Sequence, residues 1–389
     1  MNYIASFALL IIAIVSPKVY TQGRLIWSLE KENAPAILKR GQAPYKFELK
    51  LPDKVRNCED VVLDKTSGYA ILSCNPTRDI WNTVMGVYSH HETTEGGLYL
   101  YDYAGRHSAE EALTPIKLMD YPYNGKDFHP LGLEYHAPSN RIFVVNLPRE
   151  KPRIEVFKLH LAESAATFIQ SVRHVQLPSP NSLHVLSENE LYVTNDHYFP
   201  HRQNVILNQM ETFGALPISS IDKVTFSNGK VEVKTVARQP FPNGIAKLND
   251  TAYAVSSTSS GSVRLYHVDK KSGKWTERDS ISVNMLPDNL SVDDEGTLFI
   301  AGHAHTTSIV KYAKSRAECN TPEGKMSQKC KELTSPSSVV SWTQQGGLKQ
   351  IYTDDKYGAA CTAVRDAEAK MGIISSLYDP GLLVWKESS

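Results

Sequence analysis

The stretch PDNLSVDDEGTLFIAGHAH, residues 287–305, reads as a strand, a turn and a second strand. Pro287 leads, then Asp288 and Asn289. An alternating run follows, Gly296 marks the turn, and TLFIAG supplies the aliphatic and aromatic residues of a buried strand. An acid and an amide side by side at a strand's mouth have two uses. They cap a turn, or they point oxygens at something positive.

The unit recurs. Its second half resembles GYAILSCNP from Gly68, RIFVVNLP from Arg141, ELYVTNDHY from Glu190, TAYAVSSTS from Thr251 and MGIISSLYD from Met371. Its first half resembles NCEDVVLD, HPLGLEYH, PNSLHVLS, PNGIAKLN and GAACTAVR, each about ten residues upstream. Between units lie the strand candidates GLYLYDY, RIEVFKL, SIDKVTF, SVRLYHV and SIVKYAK. Spacing is uneven, but a four-stranded blade needs roughly 40–50 residues and loops take the rest. Six such units predict an all-β chain, a six-bladed β-propeller with a central channel. A pair of β-sandwiches is the alternative, and the repeated hairpin argues against it.

In a propeller, equivalent loops meet on the axis. The leaders then bring Glu59, Asn181, Asn243, Asp288 and Asn289 into one ring. All are hard oxygen donors, two charged and three neutral. Calcium takes six to eight such oxygens in flexible geometry, whereas zinc prefers His and Cys. Asn and Asp also cap turns, but four equivalent leaders at once favour a metal ring.

The bulk numbers narrow the class. The 389 residues carry 42 Lys+Arg and 42 Asp+Glu, so no electrostatic footprint for nucleic acid or polybasic surface for lipid exists. Residues 4–15, IASFALLIIAIV, are too short for a comfortable membrane span and suit the apolar part of a signal. We expect residues 1–21 to be a signal peptide or signal anchor, with a cleavage context at Val19, Tyr20 and Thr21. An N-terminal segment over 22–56 and the propeller over 57–389 follow. The expected location is secreted or the ER lumen, membrane-anchored if the signal stays. Cys58 and Cys74 bracket a hairpin and Cys319 and Cys330 a polar loop, so two disulfides are expected, with Cys361 left over. Asn249 and Asn289 open glycosylation sequons; a sugar at Asn289 conflicts with a buried ligand role.

These residues resemble the serum paraoxonase/arylesterase family, calcium-dependent six-bladed propellers related more distantly to gluconolactonases and strictosidine synthases. The likeness covers roughly 57–386. It is carried by Glu59-Asp60, by LPSPNSLHVLSENELYVTNDHYF at 177–199, by PNGI at 242–245 and by DNLSVD at 288–293. It implies calcium-dependent hydrolysis of lactones or aryl esters, with the ring above as the catalytic-type calcium site. It also implies a second, structural calcium at Asp60, the backbone carbonyl of Leu133 and an acid at a position that is Ser182 here. The family's histidine dyad falls on Leu131 and Leu147, so the general base is unassigned. Asp288, His303, His129 and His197 are the substitutes, with His184 behind them. The alternative function is a non-catalytic calcium propeller that binds a small molecule or a protein.

VILNQMETFGAL, 205–216, puts Val205, Ile206, Met210, Phe213 and Leu216 near one helical face. It reads as a lid or a helix packed on the propeller end. This stretch and the N-terminal segment are also the places where weak membrane or lipid association is expected. CNTPEGKMSQKC reads as a solvated loop, and His90-His91 as a surface loop. No Gly-x-Ser-x-Gly, Walker or dinucleotide motif is present.

Overall fold

The structure, a computed structural model, describes residues 20–88, 96–123 and 127–387. Most of the expected signal segment and the pair His90-His91 lie outside the described residues. Six sheets form the blades of a propeller, antiparallel except where Lys117–Met119 pairs parallel with Ala165–Val172 at the edge of blade two. Their innermost strands are Cys58–Asp64, Pro130–His136, Pro180–Ser187, Pro242–Asn249, Leu286–Val292 and Ala360–Asp366. All six are the repeated leaders. Each touches the next and the sixth touches the first, so the ring is closed.

The leaders share a local device. In four blades the ladder register breaks just after a proline, between Pro130 and Leu133, Pro180 and Leu183, Pro242 and Ile245, and Pro287 and Leu290. Blades one and six break for one residue, between Cys58 and Asp60 and between Ala360 and Thr362. Proline cannot donate to the ladder, and a bulge takes the next residues off it. That is how the sequence frees Glu59, Asn181, Asn243 and Asp288-Asn289 for the channel.

The packing explains why the ring holds. A separate apolar cluster fills each of the six interfaces between neighbouring blades, from Ile71, Leu98 and Phe157 between blades one and two to Leu72, Ile373 and Val384 between blades six and one. Each fully buried aliphatic or aromatic side chain contributes about 1.5–3 kcal/mol. The core is therefore radial, and the axis is left to polar groups.

Two strands of the segment over 22–56 join propeller sheets. Tyr45–Lys50 pairs with Leu382–Glu387 as the fourth strand of blade six, and Gly41–Gln42 edges blade five. Residues 20–32 form a helix, α1, over one end of the channel. The expected helix over 205–216 is present as α2, Val205–Phe213.

Two local expectations fail. SIVKYAK is not a strand but lies in helix α3, Thr306–Cys319. Its β-branched Ile309 and Val310 suggested a strand, yet Ile309, Tyr312 and Ala313 bury one face at helical spacing. The His305 side chain caps it by accepting from Ser308 N–H. Blade five takes its third strand later, at Ser337–Thr343. CNTPEGKMSQKC is not an open loop: it holds two short helices, α4 (Pro322–Met326) and α5 (Gln328–Lys331), each capped by a hydroxyl, from Thr321 and Ser327. Both expected disulfides, Cys58–Cys74 and Cys319–Cys330, are formed, and Cys361 is free and buried.

Candidate functional site

Glu59, Asn181, Asn243, Asp288 and Asn289 are all buried on the axis. Their hydrogen bonds are one-sided. Asn181 Nδ2 donates to Asp196 Oδ2 (3.3 Å), Asn243 Nδ2 to Thr258 Oγ1 (3.3 Å), and Asn289 Nδ2 lies 2.9 Å from Glu59 Oε1 and 3.0 Å from Thr362 Oγ1. Each amide thus spends its N–H₂ on the protein. Asn181 Oδ1, Asn243 Oδ1, Asn289 Oδ1 and Glu59 Oε2 have no partner. A buried polar atom left without a partner costs about 1–3 kcal/mol. Four such oxygens in one ring are the kind of donor that suits a cation.

Glu59 makes the same point. Burial, then the neighbouring carboxylates of Asp60 and Asp288, push its carboxyl well above the usual range. Burial also raises Asp60, to about 7, against hydrogen bonds from Leu133 and Val61 N–H. A cation on the axis reverses the balance at Glu59. The donor set is all oxygen. Among the described residues no cluster of three His, Cys, Asp or Glu side chains could hold a metal ion, and three of the five ring donors are amides.

The ring backbone is stitched from outside. The fifth residue of the second strand is a hydroxyl in four blades: Ser73, Thr194, Ser256 and Ser375. Ser73 donates to Leu131 C=O (2.6 Å), Thr194 to Asn243 C=O (2.7 Å) and Ser256 to Asp288 C=O (2.6 Å). Ser375 reaches Glu59 C=O at 3.4 Å. Each reaches into the next blade. Gly244 lies so close to the neighbouring leader that an added Cβ would stand 2.5 Å from Leu290 N. This second repeated signal was present in the sequence and went unread, as did the sixth ring position, which is Cys361.

Above the ring is a cavity of about 130 Å³. Its floor is Glu59, Asn181, Asn243 and Asp288; its walls and roof include Leu131, Phe213, Phe241, Ile309 and, from α1, Leu25, Ile26 and Leu29. The α1 residues were not expected there, although their i, i+1, i+4 spacing was readable. Helix α1 is fastened by Gln22 Nε2 to Ser259 C=O (2.7 Å), and just beyond it Asn33 Nδ2 donates to Ala304 C=O (2.8 Å). Glu30 lies 2.9 Å from His305 Nε2.

The histidines separate. Among the described residues, His303 is the only one lining this cavity, with Nε2 3.3 Å from Asp288 Oδ2 and Nδ1 unpartnered. His129 is buried beside Asp127 (3.3 Å) and Trp81, behind the wall. His197 bridges Asp196 Oδ1 (2.8 Å) and Thr212 Oγ1 (2.7 Å) and faces a smaller separate cavity that Leu147 shares. His184 sits with Glu134 at the opposite mouth. The structure therefore brings Asp288 and His303 together with the ring and leaves the other imidazoles outside the cavity.

Helix α2 is turned against expectation. Its polar Asn208 and Glu211 are buried, while Val205, Ile206, Met210 and Phe213 are exposed, Ile206 by 71%. Glu211 accepts from Tyr198 and Phe199 N–H and from the Ser219 hydroxyl. Thr212 and Phe213 alone reach the cavity.

A family model described as Arylesterase matches residues 82–322. The chain belongs to the arylesterase family. Serum paraoxonase/lactonase 3 of Oryctolagus cuniculus is 30% identical over 197 residues, 49% of this chain and 53% of that protein. Serum paraoxonase/arylesterase 1 of Mus musculus is 25% identical over 273 residues, 68% of this chain and 72% of that protein. The matched part thus spans about half the length of the rabbit relative. Among solved structures, a luciferin-regenerating enzyme superposes with a TM-score of 0.51 at 12% identity, covering 88% of this chain and 95% of its own. A structure assigned as a gluconolactonase gives 0.50 at 12% identity, covering 91% and 96%. At such identities the likeness is one of fold. This arylesterase-family chain has two disulfides, and none of its described helices is long and apolar enough to cross a membrane.

Proposed function

We propose that this chain is a calcium-dependent hydrolase of lactones or aryl esters. The observation that carries the reading is the ring of four unpartnered oxygens, three of them, on Glu59, Asn181 and Asn243, at the floor of an apolar cavity. Glu59, Asn181, Asn243, Asp288 and Asn289 are the residues that hold the ion. When bound, calcium supplies a Lewis acid for the substrate carbonyl and for the negative charge that develops on it.

The chain's own groups do the rest. Leu131 and the α1 leucines keep water from the acyl side and favour hydrophobic acyl groups. Asp288 lies 3.3 Å from His303 Nε2, and His303 is the imidazole at the cavity that would take the proton of the attacking water and return it to the leaving oxygen. With α1 in place the cavity admits a small acyl or aryl group, since larger ligands occupy about 300–1,000 Å³. The disulfides fit a secreted or ER-luminal protein, and a retained N-terminal segment gives a membrane-anchored one. Exposed Tyr20, Trp27, Ile206 and Met210 give the cavity end a surface for weak lipid association.

A second reading has its own observation. Both dyad positions are leucine, Leu131 at the cavity and Leu147 in the core. A calcium propeller that only binds a small molecule or a protein would look the same.

Hydrolysis of a panel of aliphatic lactones and phenyl esters separates the two. Turnover with calcium, lost with chelator and in Asp288→Ala, supports the enzyme. His303→Gln is then expected to lower kcat about 10²–10⁴-fold. No turnover on any substrate, with calcium still bound, leaves the binding protein.

A further inference from the structure

The channel has two tiers that treat their oxygens differently. Below the ring, Asp60, Ser182, Leu133 and Thr362 border a second cavity of about 290 Å³ at the opposite mouth. Both carboxylate oxygens of Asp60 have partners, and Asn289, whose Oδ1 is unpartnered, borders this cavity from the ring.

Asp60 is engaged on both oxygens. Val61 N–H donates to Oδ1 (2.8 Å) and Leu133 N–H to Oδ2 (2.8 Å). The Thr362 hydroxyl lies 3.1 Å from Oδ1 and 2.9 Å from Glu59 C=O, so its one proton is shared between them. Glu134, the next acid, is taken by Val185 N–H (3.1 Å) and His184 (3.1 Å). Ser182 supplies a hydroxyl in place of a charge. One carboxylate and one hydroxyl are a poor match for a dication that seeks six to eight oxygens. The upper ring offers two carboxylates and three amides.

We infer that this channel holds one divalent cation, and that hydrogen bonds from Leu133 and Thr362 to Asp60 replace a second ion in joining blades six, one and two. The inference rests on the reading of the upper ring as a calcium site. It also fixes what chelation does: the ring empties while the lower tier stays closed.

The test is calcium stoichiometry on the full chain, by equilibrium dialysis and calorimetric titration after stripping with chelator. One ion per chain is expected. Two ions overturn this inference and leave the upper-ring reading standing; none overturns both. Ser182 borders the lower cavity, so an aspartate has room there. Ser182→Asp is expected to bind two ions and to show a second calcium-dependent rise in melting temperature. A folded Ser182→Asp that still binds one overturns Ser182 as the residue that closes the second site. Asp60→Asn keeps an acceptor for Leu133 N–H and is expected to bind one ion. Loss of that ion in a folded Asp60→Asn also overturns the inference.

Discussion

The channel ring and the roof above it are built on opposite rules. The ring buries polar atoms and leaves them unpaired, on strands that the sequence repeats six times. The roof lines its inside with apolar residues from α1 and α3 and also shows apolar residues to solvent on α2, and none of these helices repeats. The ring is made to hold charge and the roof to hold shape. Changes in the ring should move ion binding and kcat together, whereas changes in the roof should move KM, selectivity or local stability.

Glu59→Gln is the sharpest cut at the ring. It removes one of two carboxylates, and hydrolysis and calcium affinity are each expected to fall about 10²–10³-fold, with KM moving less. Equal losses of affinity in roof variants would erase the contrast.

Chelation probes the same charge by pH. Glu59 and Asp60 have carboxyls raised above their unfolded values by burial, Glu59 also by its acidic neighbours. Their contribution to stability is full below the unfolded pKa and is lost as pH rises through the folded one. Asp60, outside the ring, weighs on both forms, whereas Glu59 in the ring should make the metal-free chain lose ground to the calcium-loaded chain as pH rises above about 4. Melting temperatures with and without chelator across that window are the measurement; a gap that narrows with rising pH would contradict it.

For the roof, Glu211→Ala strands two partly buried N–H groups and the buried Ser219 hydroxyl. A loss of about 3 kcal/mol in urea melts is expected, with calcium affinity kept. Ile309→Ala enlarges the cavity and should shift kcat/KM towards longer acyl chains about tenfold, read from a chain-length series. Ile206→Ser and Met210→Gln lie in the open. They should change stability by less than about 0.5 kcal/mol while weakening partition into phosphatidylcholine vesicles.

The same contrast divides what the sequence made legible. Leaders with a proline before an acid or amide, each followed by a hairpin, revealed the blades and the ring, because local strand chemistry and repetition pointed the same way. The roof had no repeat to read against. In α3, β-branched Ile309 and Val310 outweighed a weak helical period. In α2, the apolar stripe was legible but its direction was not: the surface beneath offers Tyr198 and Phe199 N–H, so Glu211 turns in and Ile206 out. The pairing of Tyr45–Lys50 with Leu382–Glu387 joins distant segments, and nothing in either stretch names its partner.

That pairing has a consequence for how the molecule is made. Tyr45 meets Glu387 and Lys50 meets Leu382. During synthesis the early strand must wait with an open edge until the last blade emerges, and only then can the circle shut. Long-range closure of this kind is slow and leaves an unpaired edge that invites self-association. Lys46, Glu48 and Lys50 lie along this strand, a charge pattern suited to keeping the waiting edge from other chains.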